Sequence, residues 1–129
     1  MNWLAPRIDE KCLRKVLLYS FAGALVAGAY GVIHDQVTFT LSPEYFYKLK
    51  FKQFWYANFG FPPRVFVAEV GFLATWWAGF IAAWFLGRLL VPRLGPGLLR
   101  SRMWCGLVIV LGCSLVGGLL GYGIGCRFP

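Results

Sequence analysis

Three long apolar blocks, rich in small and aromatic residues, alternate along this chain with shorter stretches that hold nearly all of its charge. A helix rising ~1.5 Å per residue needs roughly 20 residues to cross a ~30 Å hydrocarbon core. The blocks 13–33, 65–87 and 103–124 each satisfy that length. The pattern predicts an all-α integral membrane protein, a single membrane domain over 1–129 with three transmembrane helices and an amphipathic interfacial connector over 34–64. Arg7, Lys11, Arg14 and Lys15 around the head of the first block, with Ala27-Gly28-Ala29 near its end, imitate a secretory signal; we expect this segment to be retained as a span.

Inside the connector the polarity pattern changes. "QVTFTLS" alternates strictly, with Val37, Phe39 and Leu41 against Thr38 and Thr40, which is the two-residue period of a short strand or extended segment. Ser42-Pro43-Glu44 then reads as a helix opening, with Ser42 as N-cap, Pro43 at the first helical position and Glu44 favourably placed against the helix dipole. Tyr47, Phe51, Phe54 and Trp55 fall on one helical stripe that ends at Asn58. A β-hairpin over 43–56 is the rival, because Tyr45, Tyr47, Leu49 and Phe51 also alternate with Phe46, Lys48, Lys50 and Lys52; the cap favours the helix. Either form is amphipathic and suited to the headgroup region. Lys48, Lys50 and Lys52 are expected to contact lipid headgroups, at roughly 1 kcal/mol each on an anionic leaflet. Pro62 and Pro63 end the segment.

The stretch "HDQVTFTLSPEYFYKLKFKQF" resembles the connector of a group of small, uncharacterised bacterial multi-span membrane proteins. That resemblance implies a bacterial membrane location and transfers no catalytic residue.

Small residues recur every four positions within the blocks: Gly23, Ala27 and Gly31 in the first; Gly71, Thr75, Gly79, Ala83 and Gly87 in the second; Gly117, Gly121 and Gly125 in the third. Such stripes let backbones approach closely. They can hold the three spans together within one chain, or pair with another subunit, and for pairing the second stripe is the first choice. Trp76, Trp77 and Trp84 lie deeper than an aromatic belt.

Composition agrees with a membrane protein. The chain is 59% hydrophobic and 14% charged, with a mean hydropathy of +0.63, which leaves too few polar residues for a water-facing surface. The net charge of +8 comes from residues flanking the apolar blocks rather than from a nucleic-acid face, so nucleic acid is excluded as a partner. Eight of the thirteen Lys and Arg residues lie at or before the head of the first block or between the second and third. This bias favours a cytoplasmic N-terminus and, with the resemblance above, a bacterial inner membrane.

Candidate chemistry is sparse. His34-Asp35 follows the first block, where a His can relay protons and an Asp can help hold a cation, with Glu44 as a conceivable third ligand. Capping of the span end is the favoured reading of this pair. Glu69 lies about a turn inside the second block, where a carboxylate is costly unless paired or hydrated, and Arg64 is close enough in sequence to snorkel towards it. Any ion or proton path would run past Glu69, with Asp35 and His34 at its mouth. Cys12, Cys105, Cys113 and Cys126 form no CxxC pair and read as small packing residues. No nucleophile elbow, phosphate loop or HExxH motif occurs, so we expect no enzyme, metal or cofactor. The leading expectation is an accessory or packing subunit that assembles with itself or another membrane protein through small-residue helix faces. The alternative is a small homo-oligomeric channel or transporter with Glu69 on its path, and a weaker third reading is a pigment-binding subunit using His34 and the tryptophans.

Overall fold

The computed structural model describes residues 9–127; Arg7, part of the basic N-terminal cluster, lies outside them. Every regular element among the described residues is helical. Three helices are long and apolar enough to cross a membrane: α1 (Glu10–Leu41), α4 (Pro63–Leu90) and α5 (Pro96–Arg127). Between α1 and α4 the connector holds α2 (Pro43–Tyr45), a π-helical turn (Phe46–Lys50), α3 (Phe51–Gln53) and a 3-10 turn (Trp55–Ala57).

Helix α1 begins where Asp9 accepts a hydrogen bond from the Glu10 N–H at 2.8 Å, a side-chain cap on an otherwise unsatisfied first turn. Its 32 residues span ~48 Å, well beyond the expected end at Ile33. The strand expected from the alternation in "QVTFTLS" is therefore corrected, since this stretch forms the last two turns of α1. Thr38 and Thr40 donate back to the carbonyls of His34 and Gln36 at 2.9 Å, and the Ser42 N–H closes the helix on Thr38 O. Side-chain contacts to α4 fix this register. Gln36 Nε2 donates to Arg64 O at 2.7 Å, Arg64 Nη1 reaches Gln36 Oε1 and Thr40 Oγ1 at 3.2 and 3.0 Å, and its guanidinium lies 5.0 Å from the Phe39 ring centre. Gln36 and Thr40 are four residues apart and so share a helix face, which an extended segment of this length would not bring onto one arginine.

In the connector the helix prevails over the hairpin, with two corrections. Ser42 stands at the N-cap position of α2, but its side chain makes no capping bond. The aromatic stripe also differs, because Tyr47 and Trp55 are exposed while Phe46 is fully buried. The π turn over Phe46–Lys50 is closed by the Phe51 N–H on Phe46 O, an i to i+5 winding that sets Phe46 beside Phe51; Phe46 and Lys50 face inward while Tyr47 stays exposed. Phe46 and Phe51 then pack edge to face at 5.8 Å, and Phe51 stacks on Phe66 of α4 at 4.7 Å.

Helices α1 and α4 run antiparallel along a seam of small residues. A Cβ added at Gly31 would strike Gly71 O and the Thr75 side chain; one at Gly79 would strike Gly23 O and Ala27 Cβ; one at Gly87 would come within 3.3 Å of Val16. Thr75 Oγ1 crosses the seam to donate to Ala27 O at 2.8 Å. In lipid, where burial between helices offers little hydrophobic gain, such close packing with an interhelical hydrogen bond is what holds spans together. Two apolar clusters close the ends. Val16, Ala83, Val91, Leu99 and Met103 join all three long helices near the turn at 91–95, whereas Ala57, Phe66 and Val70 join α4 to the connector at the other end. Helix α5 is buried only at Leu99, Met103 and Leu107.

Candidate functional site

The charged residues that sequence reasoning singled out gather at the connector end. Asp35, on α1, is 3% exposed. The π turn carries Lys50 onto it, with Nζ 2.5 Å from Oδ2, and His34 Nδ1 lies 3.3 Å from Oδ1. The lysine ammonium also lies 5.2 Å from the centre of the Phe46 ring, so aromatic faces and one carboxylate surround the cation. Both carboxylate oxygens of Asp35 are thus engaged from within the chain. A buried charge is tolerable when paired and hydrogen-bonded in this way. His34 stays half-exposed beside Tyr30, their ring centres 5.7 Å apart.

Lys50 is accordingly removed from the set of headgroup contacts, since its side chain is 16% exposed and turned inward. Lys48 is fully exposed and bonds Glu44 at 2.8 Å. That hydrogen bond, reinforced by charge attraction, holds the Glu44 carboxyl below its ordinary pKa and the Lys48 ammonium above its own. Glu44 therefore faces Lys48 and stands apart from the His34 and Asp35 pair, and Lys52 is exposed. Among the described residues no group of three or more His, Cys, Asp or Glu side chains is arranged to hold a metal ion.

Glu69 is separate from this network. Its Oε2 is buried and has no hydrogen-bond partner. The ion pair with Arg64 anticipated from sequence does not form, because Arg64 is engaged by Gln36, Thr40 and Phe39 on α1. The structure thus brings Asp35 and His34 together and leaves Glu69 outside their bonding.

The small-residue stripes divide sharply. Gly71, Thr75, Gly79, Ala83 and Gly87 lie in the α1/α4 seam. A Cβ added at Gly117 or Gly121 on α5 would meet no atom within 4 Å. Beyond Leu107, α5 is exposed nearly throughout, with Val108, Ile109, Val116, Leu119 and Leu120 on its surface. Cys105, Cys113 and Cys126 are exposed and unpaired, so on α5 they are surface residues rather than the packing residues expected; Cys12 packs on the Val16 cluster. Trp76 and Trp77 are exposed, and Trp84 lies against that same cluster.

The functional feature that sequence reasoning missed is the inward lysine. The only signal for it was the spacing of Phe46 and Lys50, which share a face in a helix, and the contacts that turn that face inward leave no mark in the polarity pattern. Comparison with protein-family models, curated proteins and solved structures gave no match to this chain.

Proposed function

We propose that this chain is a non-enzymatic subunit of a homo- or hetero-oligomeric membrane complex, and that the free length of α5 is its docking surface. One observation carries the reading. The stripes of α1 and α4 close on each other, while a Cβ at Gly117 or Gly121, on the exposed part of α5 beyond Leu107, would meet no other atom within 4 Å. A small-residue face of this kind suits close approach by another helix. The connector serves as a foot in the headgroup layer. Exposed Tyr45, Tyr47, Trp55, Tyr56, Phe59 and Phe61, together with Lys48 and Lys52, have the amphipathic character that layer favours. The basic bias supports a cytoplasmic N-terminus, and the connector resemblance supports a bacterial inner membrane.

The test is the assembly size of Gly117→Leu/Gly121→Leu, read by native mass spectrometry from nanodiscs. Dispersal to single, still helical chains is expected, and an unchanged assembly rejects the docking surface. The unpartnered Oε2 of Glu69 favours one second reading, a homo-oligomeric channel. It predicts ion or proton flux in liposomes that Glu69→Gln abolishes; full flux in that variant excludes Glu69 from the path.

A further inference from the structure

We propose that the cavity between α1, α4 and α5 holds the end of a lipid acyl chain. The cavity, about 120 Å³, is bounded by residues 23–30 of α1, 75–82 of α4 and 107–114 of α5, stretches that include the midpoints of all three long helices. If these helices cross the bilayer, as the proposed function also assumes, the cavity sits at the mid-plane, where acyl chains end.

Its chemistry suits hydrocarbon. Two of the three hydroxyls on its wall are committed, Thr75 to Ala27 O and Gly71 O at 2.8 and 2.9 Å and Ser114 to Val110 O at 3.0 Å, and the third belongs to Tyr30, whose ring packs beside His34. A buried water needs 2–4 polar partners, and apolar cavities of ~150 Å³ stay dry and take up benzene-sized apolar guests. The rim is open sideways, because Ala78, Val110 and Ser114 are exposed. A flexible chain end can enter there, whereas a whole helix, ~10 Å across, is too wide for a space of this volume. The occupant fills the region where α5 begins to leave the α1/α4 pair, and its binding requires no protein partner.

The test uses the full chain in nanodiscs of phosphatidylcholine carrying a photoactivatable diazirine at the terminal carbon of one acyl chain, with adducts mapped by mass spectrometry. Val110 and Ser114 are expected to be labelled roughly tenfold more than Ile109, which is exposed at similar depth but outside the cavity; that ratio corresponds to ~1.4 kcal/mol of preference. Ala78→Phe should fill the space and bring Val110 and Ser114 down to the Ile109 level. Ser114→Phe, read at Val110 and Ala78, gives the same answer from the other wall. Equal labelling in the wild type, an excess that survives both substitutions, or protein–protein adducts in place of lipid would overturn the proposal. The excess is expected to persist in Gly117→Leu/Gly121→Leu, so failure of the docking surface and failure of the lipid site are read separately.

Discussion

Gly79→Ala is the sharpest probe of the α1/α4 seam, because one methyl group tests whether backbone contact holds the two helices. Its Cβ would meet Gly23 O and Ala27 Cβ, with Gly23 C at 2.9 Å. Two of these three atoms are backbone and cannot rotate away, so the helices must separate to restore ordinary contact. Overpacking of this kind costs about 1–3 kcal/mol, and the upper end is expected where rigid backbone is struck. The Thr75 bond to Ala27 O lies one turn away, and weakening it adds about 0.6 kcal/mol. Against this stands the helix-propensity gain of Gly→Ala, about 1 kcal/mol. Gly121→Ala shares that gain but has nothing within 4 Å, so the difference between the two variants isolates the clash. It should be about 3 kcal/mol, or roughly a hundredfold in the folded-to-unfolded ratio. Reversible unfolding in mixed micelles, followed by helical circular dichroism, measures it. Equal stability of Gly79→Ala and Gly121→Ala would refute the seam.

Asp35→Asn leaves the Lys50 ammonium buried without its carboxylate and should cost about 3–5 kcal/mol in the same assay, while adding Lys50→Met should recover most of the loss; additive losses would deny the pair. Thr75→Val removes the cross-seam donor and should cost about 1 kcal/mol, with no effect on assembly size. The Glu44 carboxyl titrates below its ordinary value of 4.5 because Lys48 bonds it. Its contribution to connector stability is therefore present above that value and lost as pH falls through the lowered one; a Glu44 carbonyl-carbon NMR titration with a midpoint at or above 4.5 would contradict the pair. Lys48, raised above 10.5, loses its contribution only as pH rises past that range.

What was legible in the sequence was whatever depends on length and spacing along one helix. The three apolar blocks became three long helices, and Gly71, Thr75, Gly79 and Ala83 at intervals of four share a face wherever a regular helix forms. What escaped depends on contacts between segments. The two-residue alternation of Val37, Phe39 and Leu41 describes a strand equally well in isolation. It takes Arg64, supplied from α4, to hold Gln36 and Thr40 on one helical face. The burial of Phe46 instead of Tyr47 occurs at a π turn, a local change of winding that polarity does not encode. The partner of each stripe was equally hidden, since spacing shows that a face is small and not which backbone approaches it.

The two sets of interhelical contacts differ in kind, and that difference bears on the proposed docking surface. Between α1 and α4 the contact is backbone against backbone, with a hydroxyl crossing it. The end of that pair is tied by Arg64 to α1 and by Lys50 of the connector to Asp35. Helix α5 attaches through larger side chains, Leu99, Met103 and Leu107, and a contact of Gly106 with Leu86. In hydrocarbon a leucine gains little by exchanging a lipid tail for another leucine, so this attachment adds less than the glycine seam does. The chain therefore combines a firmly closed helix pair with one long apolar arm whose closest-packing face is left open. A partner helix at Gly117 and Gly121 would gain the backbone contact that α1 and α4 already have, without disturbing either of them.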